Sequence, residues 1–442
     1  MSFSGPANRR NRGASDAPIP KYRVRCVGGG EIVEDISLLS CPNGHDSLLR
    51  AEYADRRLPL APHPGIFRYI AWLPVRWPLL PAGGPVAFPC KELSRELGLT
   101  NLAVSFSGYF PEQGATLTSC SFKELEAAPT LQRLFELGGK IPVIASAGNT
   151  GRAFAELSAR CGRPVVIVVP ERAVPRLFTT QPAHDLFLVS VAGDYSDAIA
   201  VSNALAAVPG CVPEGGAKNI ARRDGMGTVM LDGAVTIGRM PDHYFQAVGS
   251  GTGGVAAWEA AIRLRRDGRY GTILPRLHLA QNAPFTPMVS AWNDRRREII
   301  ATIDMPNARE NVGRVMSDVL TNRNPPYAIA GGLYDALAKT DGSMYSVSNA
   351  EGAEALKRIR ETVGIIDPDP AAAIAVGALI RAAGNGSIGA DDHVLLNITG
   401  GGYERVREDF VVHPVEPVAG IGIHEPVETV INELKEWISR YG

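Results

Sequence analysis

The sequence predicts an α/β protein built on two doubly wound parallel sheets. Continuous apolar runs such as RPVVIVVP and HVLLNITGGG read as strands buried on both faces. Helical segments follow these runs repeatedly, which is the order of parallel sheets covered by helices. Several strand-to-helix junctions are glycine-rich turns, and they fall at the carboxyl ends of strands, where such sheets bind ligands. At 442 residues the chain has room for two full domains and a small third module.

Composition narrows the function. The chain is 45% hydrophobic and 21% charged, with 47 glycines, as in an ordinary globular protein. Its net charge of −1 provides no global field for nucleic acid or an anionic membrane, so any anion must meet a local cluster. The opening MSFSGPANRRNRGASDAPIPK carries Arg9, Arg10 and Arg12 without the apolar core of a signal peptide, and reads as a disordered tail. YIAWLPVRWPLLPAGGPVAF, the most apolar stretch, is interrupted by Arg76 and several prolines and cannot form a membrane-spanning helix. A cytoplasmic protein is expected. Six cysteines, at 26, 41, 90, 120, 161 and 211, lack the density of a disulfide scaffold and agree with a reducing compartment.

Along the chain, YRVRCVGGGEIVEDISLLSCPNGHDSLLRAEY has the rhythm of a zinc ribbon, two short strands with knuckle-like turns. Only Cys26, Cys41 and His45 remain as donors where two C-x-x-C pairs would be needed, so the ribbon is expected to hold no metal. From about residue 100 the strand–helix alternation begins. NLAVSFSGY precedes the helix of CSFKELEAAPTLQRLFELGG, where Ser121 and Glu124 have the spacing of a capping box. Lys123 then falls in the first helical turn, an unfavourable place for a cation because the helix dipole already makes that end positive. Taken alone it reads as a solvated surface lysine. A partly desolvated, cationic setting would instead lower its pKa, as an imine-forming amine requires.

KIPVIASAGNTG runs from an apolar strand into a turn and the helix RAFAELSARCG. Ser146, Asn149 and Thr150 are hydrogen-bonding side chains at that helix start, suited to a carboxylate, although an isolated motif of this kind is more often an N-cap. DHYFQAVGSGTGGVAAWEAAIRLRRDG repeats the order with Gly249, Ser250, Gly251, Thr252, Gly253 and Gly254 at the junction. Backbone N–H groups and a helix N-terminus there make a phosphate cradle. The same residues match G-x-G-x-x-G, but a nicotinamide site needs an acid at the end of the next strand, and LHLAQN ends in Gln281 and Asn282. Tight packing explains one or two of the glycines and not all four. LLNITGGGYE sets Thr399 at the end of a buried strand.

In this order the Ser-Phe-Lys helix start, the Gly-Asn-Thr-Gly turn, the glycine loop and the C-terminal hydroxyl residue resemble the tryptophan-synthase-like, fold type II pyridoxal-phosphate enzymes over about residues 60 to 442. The likeness implies pyridoxal 5'-phosphate carried on Lys123, with Asn149 at its 3-hydroxyl. It implies the Gly249, Ser250, Gly251, Thr252 and Gly253 backbone at its phosphate and Thr399 facing the ring nitrogen. It implies a larger cofactor domain from 59–115 and 216–442, a smaller α/β domain from 116–215, a ribbon module at 21–58, a tail at 1–20, and a homo-oligomer. The degenerate ribbon is similar to that of threonine synthases. The long runs TSCSFKELEA, ASAGNTGRAFA, VPEGGAKNIARRDGMGTVMLDGAVTIG and PDHYFQAVGSGTGGVAAWEAA resemble the cysteate synthase family of methanogenic archaea, which makes cysteate from O-phosphoserine and sulfite for coenzyme M.

A neutral hydroxyl opposite the ring nitrogen would not keep that nitrogen protonated, which favours expulsion of a good β leaving group through an aminoacrylate. Both proposed substrates are anions. Lys218, Arg222 and Arg223 in EGGAKNIARRDG, with Arg152 just past the Asn149 turn, are the expected local cation cluster, and a solvated helix face is the plainer reading of each. A threonine synthase acting on O-phosphohomoserine, a sulfide-using cysteine synthase and a non-catalytic cofactor-binding regulator are the competing functions. An intact Lys123 argues against the last, because a binder needs no imine.

Overall fold

The computed structural model describes residues 20–36 and 39–441. The expected tail of residues 1–20 lies outside the described residues except for Pro20. Two sheets dominate. The larger has six strands in the order Ser343–Val347, Arg276–Asn282, His243–Ala247, His393–Ile398, Asn101–Phe106 and Val86–Pro89. All neighbours in it run parallel except the last pair. The smaller is wholly parallel, in the order Cys211–Pro213, Ile141–Ala145, Val165–Pro170, Leu186–Val191 and Ala419–Ile421.

These strands are apolar without alternation because both faces are covered: Val165 through Val169 are all fully buried. On one face of the large sheet Val104, Phe245, Leu396 and Ile398 pack with the helix Pro370–Gly384. The opposite face, with Tyr244, Leu277, Leu279 and Leu395, shares one continuous core with Ile144, Val165, Ile167 and Leu188 of the small sheet. Between them lies the helix Ile220–Ile237, wedged against the Lys123–Glu136 and Thr252–Asp267 helices. Gly225 permits that approach, since a Cβ there would stand 2.0 Å from the Leu125 carbonyl oxygen.

Three findings depart from the sequence reading. Ser121 and Glu124 form no capping box: the helix Lys123–Glu136 starts after Phe122, and the Glu124 carboxylate accepts from the Ser119 N–H at 3.1 Å. Residues 22–53 carry three antiparallel strands rather than two, Tyr22–Cys26 pairing with both Ile32–Val33 and Leu49–Tyr53. The stretch 216–442, expected whole in the larger domain, sends Ala419–Ile421 back to the edge of the small sheet. The helix Glu428–Ile438 then covers that sheet through Leu434 and Trp437, whose ring lies 5.6 Å from that of Phe187. No helix among the described residues is long and apolar enough to cross a membrane.

Candidate active site

A cavity of about 560 Å³ opens where the carboxyl ends of both sheets' strands meet. Lys123, Ser146, Asn149, Thr150, Gly249 through Gly253, Lys218, Arg222 and Thr399, scattered over 277 positions, all line it.

Lys123 is the first residue of its helix, and the segment before it is pinned to the Thr399 turn. Phe122 N–H donates to the Thr399 carbonyl at 3.0 Å and Gly401 N–H to the Cys120 carbonyl at 3.1 Å. Cys120 takes a left-handed φ of 54° to make that bend. The Lys123 side chain is 21% exposed, towards the cavity, and its Nζ lies 3.4 Å from Oε2 of the fully buried Glu126. Burial lowers its pKa, Glu126 opposes the shift, and the nearby Arg222 guanidinium reinforces it. Desolvation thus dominates the destabilised ammonium.

Asn149 begins the helix Asn149–Cys161 behind Gly148, whose φ of 143° is open to glycine and costly for other residues. Its Nδ2 donates to Asp369 Oδ2 at 3.1 Å, and its Oδ1 accepts from Arg152 Nη2 at 3.0 Å. Ser146 Oγ accepts the N–H groups of Gly148 and Gly151 at 3.0 and 2.8 Å, which shapes the turn. The amides of Asn149 and Thr150, at the first two positions of the helix, have no intrahelical acceptor.

The glycine loop ends at Gly251, with φ 81°, immediately before the helix Thr252–Asp267. That turn leaves the first amides of the helix at the cavity wall without intrahelical acceptors, beside the hydroxyls of Ser250 and Thr252, 2.8 Å apart. The arrangement suits a phosphate. Gly253 and Gly254 also serve close packing, as a Cβ on them would meet Gln246 at 2.0 Å and Leu279 at 2.7 Å.

The expected cation cluster is dispersed. Arg223 is 1% exposed and turned away from the cavity, bound to Glu259 at 2.9 Å and to the carbonyls of Ala217 and Leu49. It cannot meet a substrate without abandoning a buried carboxylate. Arg152, 3% exposed, donates to the Ser119 carbonyl at 2.7 Å and to Tyr403 Oη at 2.9 Å, so it orients Asn149 and does not line the cavity. Arg222 reaches the wall, but its guanidinium is held by Glu126 at 2.6 Å and by Glu214. Lys218 lines the mouth, with Nζ 3.2 Å from Ser40 Oγ.

Sequence reasoning missed the cavity-lining Tyr195 and the wall formed by 319–322 and 324–329, together with Glu126 and Glu214, which hold Arg222. Glu126 had a signal, three residues after Lys123 on the same helix face. The others are brought in by tertiary structure alone.

A family model described as pyridoxal-phosphate dependent enzyme matches residues 112–400. The chain belongs to the pyridoxal-phosphate dependent enzymes. Pyridoxal phosphate is the cofactor of this family, and the burial-depressed amine of Lys123 facing the glycine turn at one cavity fits it. The chain is 67% identical over 424 residues to the cysteate synthase of Methanoregula boonei, covering 96% of this chain and all of that one. It is 52% identical over 418 residues to the cysteate synthase of Methanosarcina acetivorans, covering 94% and 99%. Among solved structures, maize serine racemase is similar in fold, with a TM-score of 0.52 at 15% identity over 72% of this chain and 89% of that one. Within the pyridoxal-phosphate dependent enzymes, the chain groups with the cysteate synthases.

Proposed function

We infer that this chain converts O-phospho-L-serine and sulfite to L-cysteate and phosphate, the β-replacement that serves coenzyme M biosynthesis. The 67% identity to a cysteate synthase, across 96% of the chain, carries the reading, and the cavity chemistry supports it. Bound at Lys123, pyridoxal phosphate supplies an electron sink that lets the substrate lose its α proton and its β-phosphate. The amides after Gly251 would hold the cofactor phosphate, and Asn149 and Thr399, which line the same cavity, would meet its polar groups. The free amides of Asn149 and Thr150 take the substrate carboxylate at a helix N-terminus, where anions are favoured. Lys123 Nζ, whose ammonium is disfavoured by burial, removes the α proton and later returns it. Lys218 at the mouth offers charge first to the departing phosphate and then to incoming sulfite. The β-carbon–oxygen bond breaks and a carbon–sulfur bond forms, with no external reductant.

In this reading the enzyme is cytoplasmic, which the six unpaired cysteines favour, and homo-oligomeric, which the exposed Trp77, Leu80 and Phe135 favour. Residues 22–53 form its ribbon-like module.

Product analysis of the holoenzyme with O-phosphoserine and O-phosphohomoserine, each with and without sulfite, tests the reaction. Cysteate from phosphoserine only when sulfite is present is the expected result. Phosphohomoserine carries its phosphate one methylene further out and needs an additional proton shift, so it should turn over poorly. Efficient threonine formation with no cysteate would replace this reading with a threonine synthase.

A further inference from the structure

Away from the catalytic cavity, four donor atoms converge in the N-terminal sheet. One ligand atom each of Cys26, Glu31, Cys41 and His45 lies within 4.8 Å of all the others. His45 Nδ1 stands 3.6 Å from Cys26 Sγ, 3.5 Å from Cys41 Sγ and 2.9 Å from Glu31 Oε1. Cys41 Sγ is 3.1 Å from the same carboxylate oxygen. Donors bound tetrahedrally to zinc at their usual bond lengths stand about 3.3–3.8 Å apart. Both sulfur–nitrogen distances already match, and the carboxylate oxygen has to withdraw by only a few tenths of an ångström.

We propose that Cys26, Glu31, Cys41 and His45 hold a structural Zn²⁺ ion. The sequence reading counted three donors and expected no metal; Glu31, at the end of the Gly28–Gly30 turn, is the fourth. The backbone is shaped for it. Gly29 N–H donates to Cys26 Sγ at 3.3 Å, a bond that favours thiolate over thiol. A Cβ on Gly29 would lie 2.0 Å from Glu31 Oε2 and 2.4 Å from His45 Cε1, so a side chain there would drive two of the donors out. Gly30 and Gly44, both with φ of 79°, close the two turns that carry the donors. The thiols are buried, while His45 reaches solvent and leaves an entry path. Two thiolates with an imidazole and one carboxylate suit zinc better than magnesium or calcium, and four protein ligands make a closed structural site.

The ion would also steady the cavity. Next to His45, Asp46 lines the catalytic cavity and its carbonyl accepts from Ala330 N–H at 3.2 Å, while Leu48 N–H donates to the Ala330 carbonyl at 2.9 Å. Residues 325–329, just before Ala330, form part of the cavity wall.

Elemental analysis of the full chain purified without chelator should find stoichiometric zinc. After exchange, Co²⁺ should give a thiolate charge-transfer band and intense tetrahedral visible absorption. Cys41→Ser should abolish that spectrum and Glu31→Gln weaken metal retention, whereas Cys211→Ser, at a buried cysteine outside the cluster, should leave both intact. If a variant fails to fold, cobalt titration of the unmodified chain still decides. A chain that takes up no Co²⁺ with thiolate absorption, a Cys26–Cys41 disulfide in the unreduced protein, or zinc retained fully in Cys41→Ser would overturn the proposal.

Discussion

Lys123 Nζ lies 3.4 Å from one oxygen of Glu126, and the other oxygen of that carboxylate accepts from Arg222 at 2.6 Å. The amine therefore sits at the end of a buried charge chain, not against an unshared carboxylate. Glu126 opposes the burial-driven fall in the Lys123 pKa. Glu126→Gln removes that opposition, so the amine, once substrate has released it from the cofactor, should lose its proton at lower pH, and the acid limb of the kcat profile, which reports the substrate-bound enzyme, should move downward. Loss of one of the two carboxylates that hold the buried Arg222 should also cost about 3 kcal/mol of stability. An unmoved acid limb in a folded variant would show that Lys123 is not the titrating base.

Lys123→Ala should abolish covalent attachment of pyridoxal phosphate and reduce turnover by about 10²–10⁴-fold or more, the range of a lost acid–base group. Borohydride trapping and peptide mapping of the unmodified chain check the assignment. Cofactor found on another lysine would move the site.

The basic run at 218–223 separates into unlike roles. Arg223, bound to the buried Glu259, is structural, and Arg223→Ala should cost about 3–5 kcal/mol because it leaves a carboxylate buried without one of its partners. Lys218→Ala, at the cavity mouth, should leave the melting temperature unchanged and raise KM for phosphoserine. Thermal unfolding and steady-state kinetics on both variants test the division. Equal KM effects without loss of stability would contradict it.

His278 is buried in the large sheet, stacked on Phe245 at 4.3 Å and hydrogen-bonded to His243 and Tyr345 at 2.9 and 2.8 Å. Burial pushes its pKa down to about 3, against an ordinary value of 6.5. Its folded-state pKa is depressed, so the unfolded chain binds the extra proton between these values. The stability this neutral ring supports is complete above pH 6.5 and falls towards pH 3, by up to about 1.4 kcal/mol per pH unit. Replacing it with a non-titrating residue, as in His278→Gln, should flatten that slope in denaturant titrations run across the window. An unchanged slope would assign the acid sensitivity elsewhere.

How much of this was legible depended on sequence distance. The strands and the Lys123, Asn149 and Gly249–Gly253 junctions announce themselves, because buried parallel strands and glycine turns have local signatures. Arg222 and Arg223 looked free only because their partners, Glu126, Glu214 and Glu259, lie 8 to 96 residues away. Arg152 looked like a substrate ligand for the same reason: Tyr403, which holds it, is 251 residues distant. Glu31 was invisible as a donor because a carboxylate belongs to no cysteine-pair pattern. The return of residues 419–421 to the small sheet had no local signal, since a three-residue strand is defined by its neighbour.

The wall over the cavity is tied to the small sheet by two ion pairs, which makes its closure testable. Arg176 meets Asp318 through two contacts of 2.9 Å, and Arg323 meets Asp194 at 2.8 Å. Arg176 and Asp194 follow strands of the small sheet, whereas Asp318 and Arg323 bracket the cavity-lining Val319–Asn322. All four side chains are about one-third exposed or more, so each pair is worth only about 0.2–1 kcal/mol after solvent screening. That is enough to bias a wall and too little to hold the fold. Asp194→Asn and Asp318→Asn should therefore each raise KM for phosphoserine by about 1.4- to 5-fold, leave the melting temperature unchanged and weaken further in combination. Trypsin supplies the independent readout, because Arg323 is shielded by Asp194: cleavage after Arg323 should accelerate in Asp194→Asn. If both KM and the cleavage rate stay as in the unmodified chain, the wall is held by its packing and the ion pairs are incidental.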